Sequence, residues 1–296
     1  MTVLARLNSS HEVVLVVTNP DKKQGRSLAL GISPVKKWAL EQGVAVITPA
    51  KLAEDELLPL LKRGEVQALA VAAYGKLLPA WLLNSVPYGA INVHASLLPE
   101  YRGAAPIERC LMDGCAKTGI TIMRLDEGMD TGGTLAQVEV DIAEDDTSYE
   151  LRRKLAEAGG ELLSHVLAEL SKGTLEAVSQ VGQASYAPKI SDEETWVDWS
   201  RDSKSIQNLV RALAPKPGAK TLSLNGAIKL LRTAYVVSGE PSRRPGEIVS
   251  LKPDLVVATG RGDLALLQVQ PRNKRIMTGA EFARGARLAV GTLMAG

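Results

Sequence analysis

Four short apolar runs, at residues 12–18, 44–48, 66–73 and 90–93, alternate with stretches that read as helices. Runs this short that stay apolar on both faces belong in a sheet covered on both sides, and strand–helix–strand alternation calls for parallel strands joined by right-handed crossovers. Between the first two runs, Ser33 and Pro34 are an N-cap and a first helical residue, opening a helix through residue 40. A second helix is expected over 54–62. The first half of the chain is therefore constrained to a doubly wound α/β sheet, whose ligands sit over the C-terminal ends of the strands. No Gly-x-Gly-x-x-Gly follows a strand, which argues against a dinucleotide. A length of 296 residues leaves room for a second domain.

The fourth run continues as Ala90-Ile91-Asn92-Val93-His94-Ala95-Ser96-Leu97-Leu98-Pro99. Asn92 and His94 are two apart, so on a strand they project from one face. An amide donor beside an imidazole, where a strand runs out into a loop, suits gripping a developing oxyanion and managing a proton. Residues 74–78 and 126–131 also fall at expected strand ends and should line the same crevice. Downstream come Tyr101-Arg102-Gly103-Ala104-Ala105-Pro106-Ile107, then Gly119-Ile120-Thr121-Ile122-Met123, closing on Asp126-Glu127-Gly128-Met129-Asp130-Thr131-Gly132. Ser96 is no expected nucleophile, because Gly-x-Ser-x-Gly is absent.

Taken in order, these linked blocks resemble the 10-formyltetrahydrofolate-dependent formyltransferases, and the resemblance runs over residues 8–287. It implies a Rossmann-like catalytic domain followed by a small OB-like β-barrel. Within the family the pattern is nearest to the members that move a formyl group from 10-formyltetrahydrofolate to the free amine of methionyl initiator tRNA, by direct attack through a tetrahedral intermediate. Such an enzyme serves translation initiation in the cytoplasm, as a monomer, without a metal. On that resemblance Asn92 and protonated His94 would hold the oxyanion, and Asp130 would keep His94 charged and relay the proton. Tyr74, Gly75, Leu77, Ser96, Leu97, Leu98, Pro99, Asp126 and Gly128 would bind the folate. Lys22, Lys23 and Arg26, in a polar loop over residues 19–31, would reach the tRNA. Family members begin with a further strand, a Gly-Thr-Pro loop and the start of a helix that is already under way at Met1. In a doubly wound sheet that strand sits in the middle, and a chain without it carries two unpaired interior edges.

Beyond Gly132, residues 132–142 read as a hairpin partner of 119–125, and 147–173 as one long helix with Leu151, Leu155, Leu162, Val166 and Leu170 on a stripe. His165 within it is expected to be a partly buried structural residue. Residues 174–190 carry little helix signal and contain Gly182 and Pro188, so they are expected to link a catalytic domain over 1–173 to a second domain over 191–296. That second domain shows a short helix over 203–212 and several short strands, with Asn225-Gly226 suggesting a type I′ hairpin turn.

Charge divides along the same line. Residues 1–190 hold 19 Lys and Arg against 23 Asp and Glu, whereas residues 201–296 hold 16 against 6. A basic C-terminal third on a slightly acidic body points to a polyanion partner. The second domain has Phe282 as its only phenylalanine, and the family's aromatic-rich stretch is replaced by Ala214-Pro215-Lys216-Pro217, so phosphate contact rather than base stacking is expected. No apolar run approaches the roughly 20 residues of a membrane span, and the N-terminus carries no signal-peptide core. Cys110 and Cys115 lack neighbours that would complete a metal site. Two other readings share the Asn-x-His…Asp core or the basic tail: another folate-dependent formyltransferase or hydrolase, and a tRNA-binding protein impaired in catalysis. The basic loop and tail favour tRNA as the acceptor.

Overall fold

A computed structural model describes residues 1–24, 29–236 and 243–296, with residues 22–24 and 29–30 described by backbone alone. Arg26 thus lies outside the described residues, as do the side chains of Lys22 and Lys23. The chain divides into two compact units: Met1–Ala104, Lys117–Asp141 and Arg153–Tyr186 form the first, Ala105–Ala116, Ile142–Arg152 and Ala187–Gly296 the second.

The first unit opens with α1 (Thr2–Asn8), β1 (Leu15–Val17), a short hairpin of β2 (Lys22–Gln24) and β3 (Ala29–Gly31), α2 (Pro34–Glu41), β4 (Ala45–Ile47), α3 (Glu54–Arg63), β5 (Leu69–Val71), α4 (Ala80–Leu83) and β6 (Ala90–His94). The hairpin occupies a segment expected as loop. Ser33 caps α2 by accepting from the Lys36 amide at 3.1 Å, with Pro34 at the first helical position. Strands β1 and β4 pair in parallel around α2, and β5 and β6 pair in parallel around α4. Then β7 (Lys117–Arg124) and β8 (Thr134–Asp141) extend the second sheet antiparallel, in the order β5-β6-β7-β8. Among the described residues β1 and β5 each keep one edge without a strand partner. Leu57 and Leu61 of α3 with Leu82 and Val86 pack against Leu15, Val17, Ile47 and Leu69, so one apolar layer serves both sheet pieces.

Helix α5 (Pro106–Met112) and the first turn of α6 (Ser148–Lys172) belong to the second unit, although their neighbours in sequence lie in the first. The buried stripe of α6 includes Leu151, Leu155, Val166 and Leu170, with Leu163 buried where Leu162 was expected, and His165 is exposed rather than buried. The remaining elements of the second unit are α7 (Ser203–Leu213), β9 (Ala219–Ser223), β10 (Gly226–Val236), β11 (Ile248–Ser250), β12 (Leu255–Ala258), β13 (Asp263–Pro271), β14 (Met277–Thr278) and α8 (Gly279–Gly285). The sheet runs β11-β12-β13-β10-β9, antiparallel throughout, with β14 on β13. The C-terminal residues join its two edges: Ala295 pairs with Leu222 of β9, and Leu293 with Glu247 just before β11. These bridges bring the two edges of the curled sheet, a half-barrel, onto one C-terminal segment. At the Leu224-Asn225 turn only Gly226 takes a left-handed φ, of +99°, so a glycine-bulge turn replaces the expected type I′ form.

Within the second unit Arg109 grips Glu194 in a two-pronged pair, Nη1 to Oε1 at 2.5 Å and Nη2 to Oε2 at 3.1 Å. The guanidinium holds the Glu194 carboxyl down at about 2, from an ordinary 4.5. A depressed carboxylate stabilises the fold fully above its unfolded value and less as pH falls through the folded one. The pair is therefore expected to stabilise at pH 7 and to fade between about pH 4.5 and pH 2. Glu194 is 39 % exposed, which keeps the contribution under about 1 kcal/mol. Urea midpoints of Arg109→Ala and the parent should differ at pH 7 and converge toward pH 2. Among the described residues no helix is long and apolar enough to cross a membrane.

Candidate active site

His94 ends β6 and is buried, with its Nδ1 3.6 Å from Oδ1 of Asp130 and its Nε2 3.0 Å from the Tyr101 carbonyl oxygen. A carbonyl oxygen only accepts, so Nε2 carries a hydrogen. Nδ1 then faces the Asp130 carboxylate. At 3.6 Å the pair is longer than a hydrogen bond, so Nδ1 is left open to a third group. Asp130 directs its other oxygen elsewhere: Oδ2 accepts from the Gly103 amide at 2.8 Å.

Asn92 lies two residues before His94 on the same strand face, half-buried, and among the described residues no protein group hydrogen-bonds its side-chain amide. A half-buried amide left in this way beside an imidazole is a donor waiting for an acceptor.

The turn after β6 is fixed by a small network centred on the buried Thr121. Thr121 on β7 donates to the Ser96 carbonyl at 2.7 Å and accepts from the Leu98 amide at 3.0 Å, while Gln137 on β8 donates to both the Leu98 carbonyl and Thr121 Oγ1. Ser96 is buried and donates to the Glu100 carbonyl at 2.5 Å, a structural use of the hydroxyl. Leu98 and Pro99 are buried and Leu97 is half-buried.

The other expected folate residues occupy two loops. Val71 of β5 pairs with Asn92, so Tyr74, Gly75 and Leu77 lie just past the strand end at the same sheet edge. Leu77 is 76 % exposed, whereas the Tyr74 hydroxyl is buried without a partner among the described residues, and burial pushes its ionisation up. Asn19, which carries no motif in the sequence, donates to the Tyr74 carbonyl at 3.1 Å and ties the loop after β1 to the loop after β5. Asp126 and Gly128 are exposed or nearly so. The Asp126 carboxylate accepts from the Gly128 amide and the Thr131 hydroxyl, which shapes the turn leading to Asp130. Gly132 closes that turn, and a Cβ there would run into the Arg124 carbonyl oxygen. Gly132→Ala is expected to cost about 1–3 kcal/mol of stability by overpacking, and to lower turnover at least tenfold by shifting Asp130. Thermal unfolding and kcat, measured on one preparation, check both.

Residues 2–167 match the formyl transferase family, and residues 189–287 match the formyl transferase C-terminal domain. The chain belongs to the formyl transferase family. Two relatives named methionyl-tRNA formyltransferase are similar along almost their whole length. The one from Carboxydothermus hydrogenoformans is 46 % identical over 97 % of this chain and 94 % of its own. The one from Thermus thermophilus is 41 % identical over 98 % and 94 %. Among solved structures, the N-formyltransferase from Helicobacter canadensis shares the fold at a TM-score of 0.66 and 16 % identity, covering 89 % of this chain and 93 % of that one. HypX from Aquifex aeolicus in complex with tetrahydrofolic acid does so at 0.63 and 19 %, covering 85 % and 44 %. Both domains of a formyltransferase are therefore present, the catalytic sheet and the small β domain that follows it in the chain.

Proposed function

We propose that this formyltransferase moves the formyl group of 10-formyltetrahydrofolate to the free amine of methionyl initiator tRNA, acting as a cytoplasmic monomer in translation initiation. What supports the acceptor is the length and closeness of the match to relatives bearing that name, together with the basic C-terminal third. What supports the chemistry is one arrangement: an unengaged Asn92 amide beside an imidazole whose Nδ1 faces the Asp130 carboxylate.

The amine nitrogen attacks the formyl carbon, and negative charge builds on the formyl oxygen. Asn92 and the Nδ1–H of His94 donate to that oxygen, strengthening as the charge grows. Asp130 takes the proton that the attacking nitrogen sheds and returns it to the folate nitrogen as the bond to it breaks. One carbon–nitrogen bond forms and one breaks, with no net change in protons on the enzyme. Tyr74, Gly75 and Leu77 on one side, and Ser96, Leu97, Leu98, Pro99, Asp126 and Gly128 on the other, border the folate. Lys22, Lys23 and Arg26 contribute cations to the tRNA backbone.

The test is transfer of labelled formyl from 10-formyltetrahydrofolate to methionyl initiator tRNA by the 296-residue chain. Acid-stable label on the aminoacyl end supports the reading. Release of free formate without tRNA labelling moves the assignment to a hydrolase. Salt-sensitive tRNA binding with no loss of formyl from the folate moves it to a binding protein.

A further inference from the structure

Asp130 has a left-handed backbone, φ +52°, a conformation that costs residues other than glycine some strain, though aspartate tolerates it better than most. The turn that carries it is bonded by Gln180, 50 residues away in a segment that looks like a bare connector. Its amide nitrogen donates to the Asp130 carbonyl at 2.9 Å and to the Gly132 carbonyl at 2.8 Å, using both hydrogens on one turn. Its amide oxygen accepts twice from Arg102, from Nε at 3.2 Å and Nη2 at 2.6 Å. Arg102 is held in turn, its backbone amide donating to the Ser185 carbonyl at 2.9 Å. Next to it, the Tyr101 amide donates to Ser185 Oγ at 2.8 Å, and the Tyr101 carbonyl is the one that receives His94 Nε2. One stretch of chain, residues 180–185, therefore grips the turn that carries Asp130 and the turn that orients His94.

We infer that Gln180, oriented by Arg102, is a positioning residue that fixes Asp130 at its distance from His94. Among the described residues Gln180 bonds only main-chain carbonyls and Arg102, so it acts through Asp130 and not on substrate. The residue type follows from the geometry. Glutamate would accept from Arg102 but present oxygen to two carbonyls, while methionine would fill the space with no polar contact. The inference rests on Asp130 being catalytic, as proposed above.

The experiment compares the parent, Asp130→Asn, Gln180→Ala, Gln180→Met and Gln180→Glu in kcat, in KM for both substrates, and in hydrogen exchange of the peptide spanning residues 126–133. With the turn freed, Gln180→Ala and Gln180→Met are expected to lose about 10- to 100-fold in kcat with KM within about threefold, the pattern of a misplaced group. Exchange in that peptide should rise about tenfold while global unfolding stays near the parent's. Gln180→Glu should be as poor as Gln180→Met at pH 7 and pH 8, because its carboxylate presents oxygen and no donor to the two carbonyls. A kcat within about twofold of the parent, or a loss carried by KM alone, overturns the inference. Should Gln180→Ala not fold, Gln180→Met takes its place under the same criteria. An inactive parent, or an Asp130→Asn as active as the parent, would sink the proposed chemistry instead. Exchange then decides alone, and an unchanged 126–133 peptide overturns the clamp.

Discussion

Replacing His94 with alanine is expected to cut formyl transfer by about 100- to 1,000-fold in kcat, and Asn92→Ala to cut it by a similar factor. Each removes one preorganised donor from the oxygen on which charge accumulates, and water entering the gap must reorganise where the protein's donor did not. His94→Ala carries a second cost. Nδ1 lies 3.6 Å from Asp130 Oδ1, so its loss leaves that oxygen without its imidazole neighbour. The fold should survive both changes. Asn92 has no protein hydrogen bond to lose among the described residues, and the Tyr101 carbonyl released from His94 sits on a turn still held by Ser185. Single-turnover rates with saturating folate and methionyl-tRNA, beside far-UV circular dichroism, check the claim. A rate within about tenfold of the parent in either variant would remove that residue from the oxyanion role.

How far the sequence reveals this site depends on how local each relation is. Asn92 and His94 are legible because a strand's two-residue period places both on one face without knowledge of anything else. Asp130 is legible only through a linked block of motif, since no periodicity joins it to a histidine on another strand. The 3.6 Å approach comes from the chain reversing between β7 and β8. Gln180 and Asn19 are illegible. Their partners lie 50 and 55 residues away, and a lone amide in a polar stretch carries no pattern. Arg102 sits inside a recognisable block, yet its role appears only when the segment that accepts its hydrogens is in place. Fold reading divides in the same way. Short apolar runs and the Ser33-Pro34 cap announce strands and a helix, because the signal is held within a few residues. Nothing local says that α5 and the first turn of α6 join the second compact unit, because an apolar stripe states that a face is buried and not against what. His165 shows the limit within one helix, where a rotation of part of a turn exchanges Leu162 for Leu163 and leaves the imidazole outside.

Trp199→Ala is expected to destabilise the second unit by about 3–5 kcal/mol, the range for emptying an aromatic site in a core. Trp199 is 4 % exposed and packs in one cluster with Ile206, Ile248, Leu264 and Met294. Its Nε1 donates to Thr221 Oγ1 at 3.0 Å, and that hydroxyl donates onward to the Ala295 carbonyl at 2.8 Å. The chain of bonds reaches the seam at which residues 293–295 join β9 to the approach to β11, so the indole supports both the core and that seam. Losing it opens a cavity and leaves the Thr221 oxygen with one partner fewer, and the two costs add because they fall on different groups. For a unit of this size the loss corresponds to a fall on the order of 10 °C in Tm. Calorimetry should then show the transition of the second unit moving down and away from that of the first. The hydrogen bonds and ion pair described for His94 and Asp130 lie within the first unit. Below the lowered transition, kcat at saturating tRNA should therefore hold, and above it KM for the tRNA should rise first, since the basic third of the chain lies in the part that melts. A single transition that carries both units down together would mean that they unfold as one cooperative body. A kcat that collapses while KM stays constant would mean that the half-barrel shapes the chemistry and not the grip on the nucleic acid.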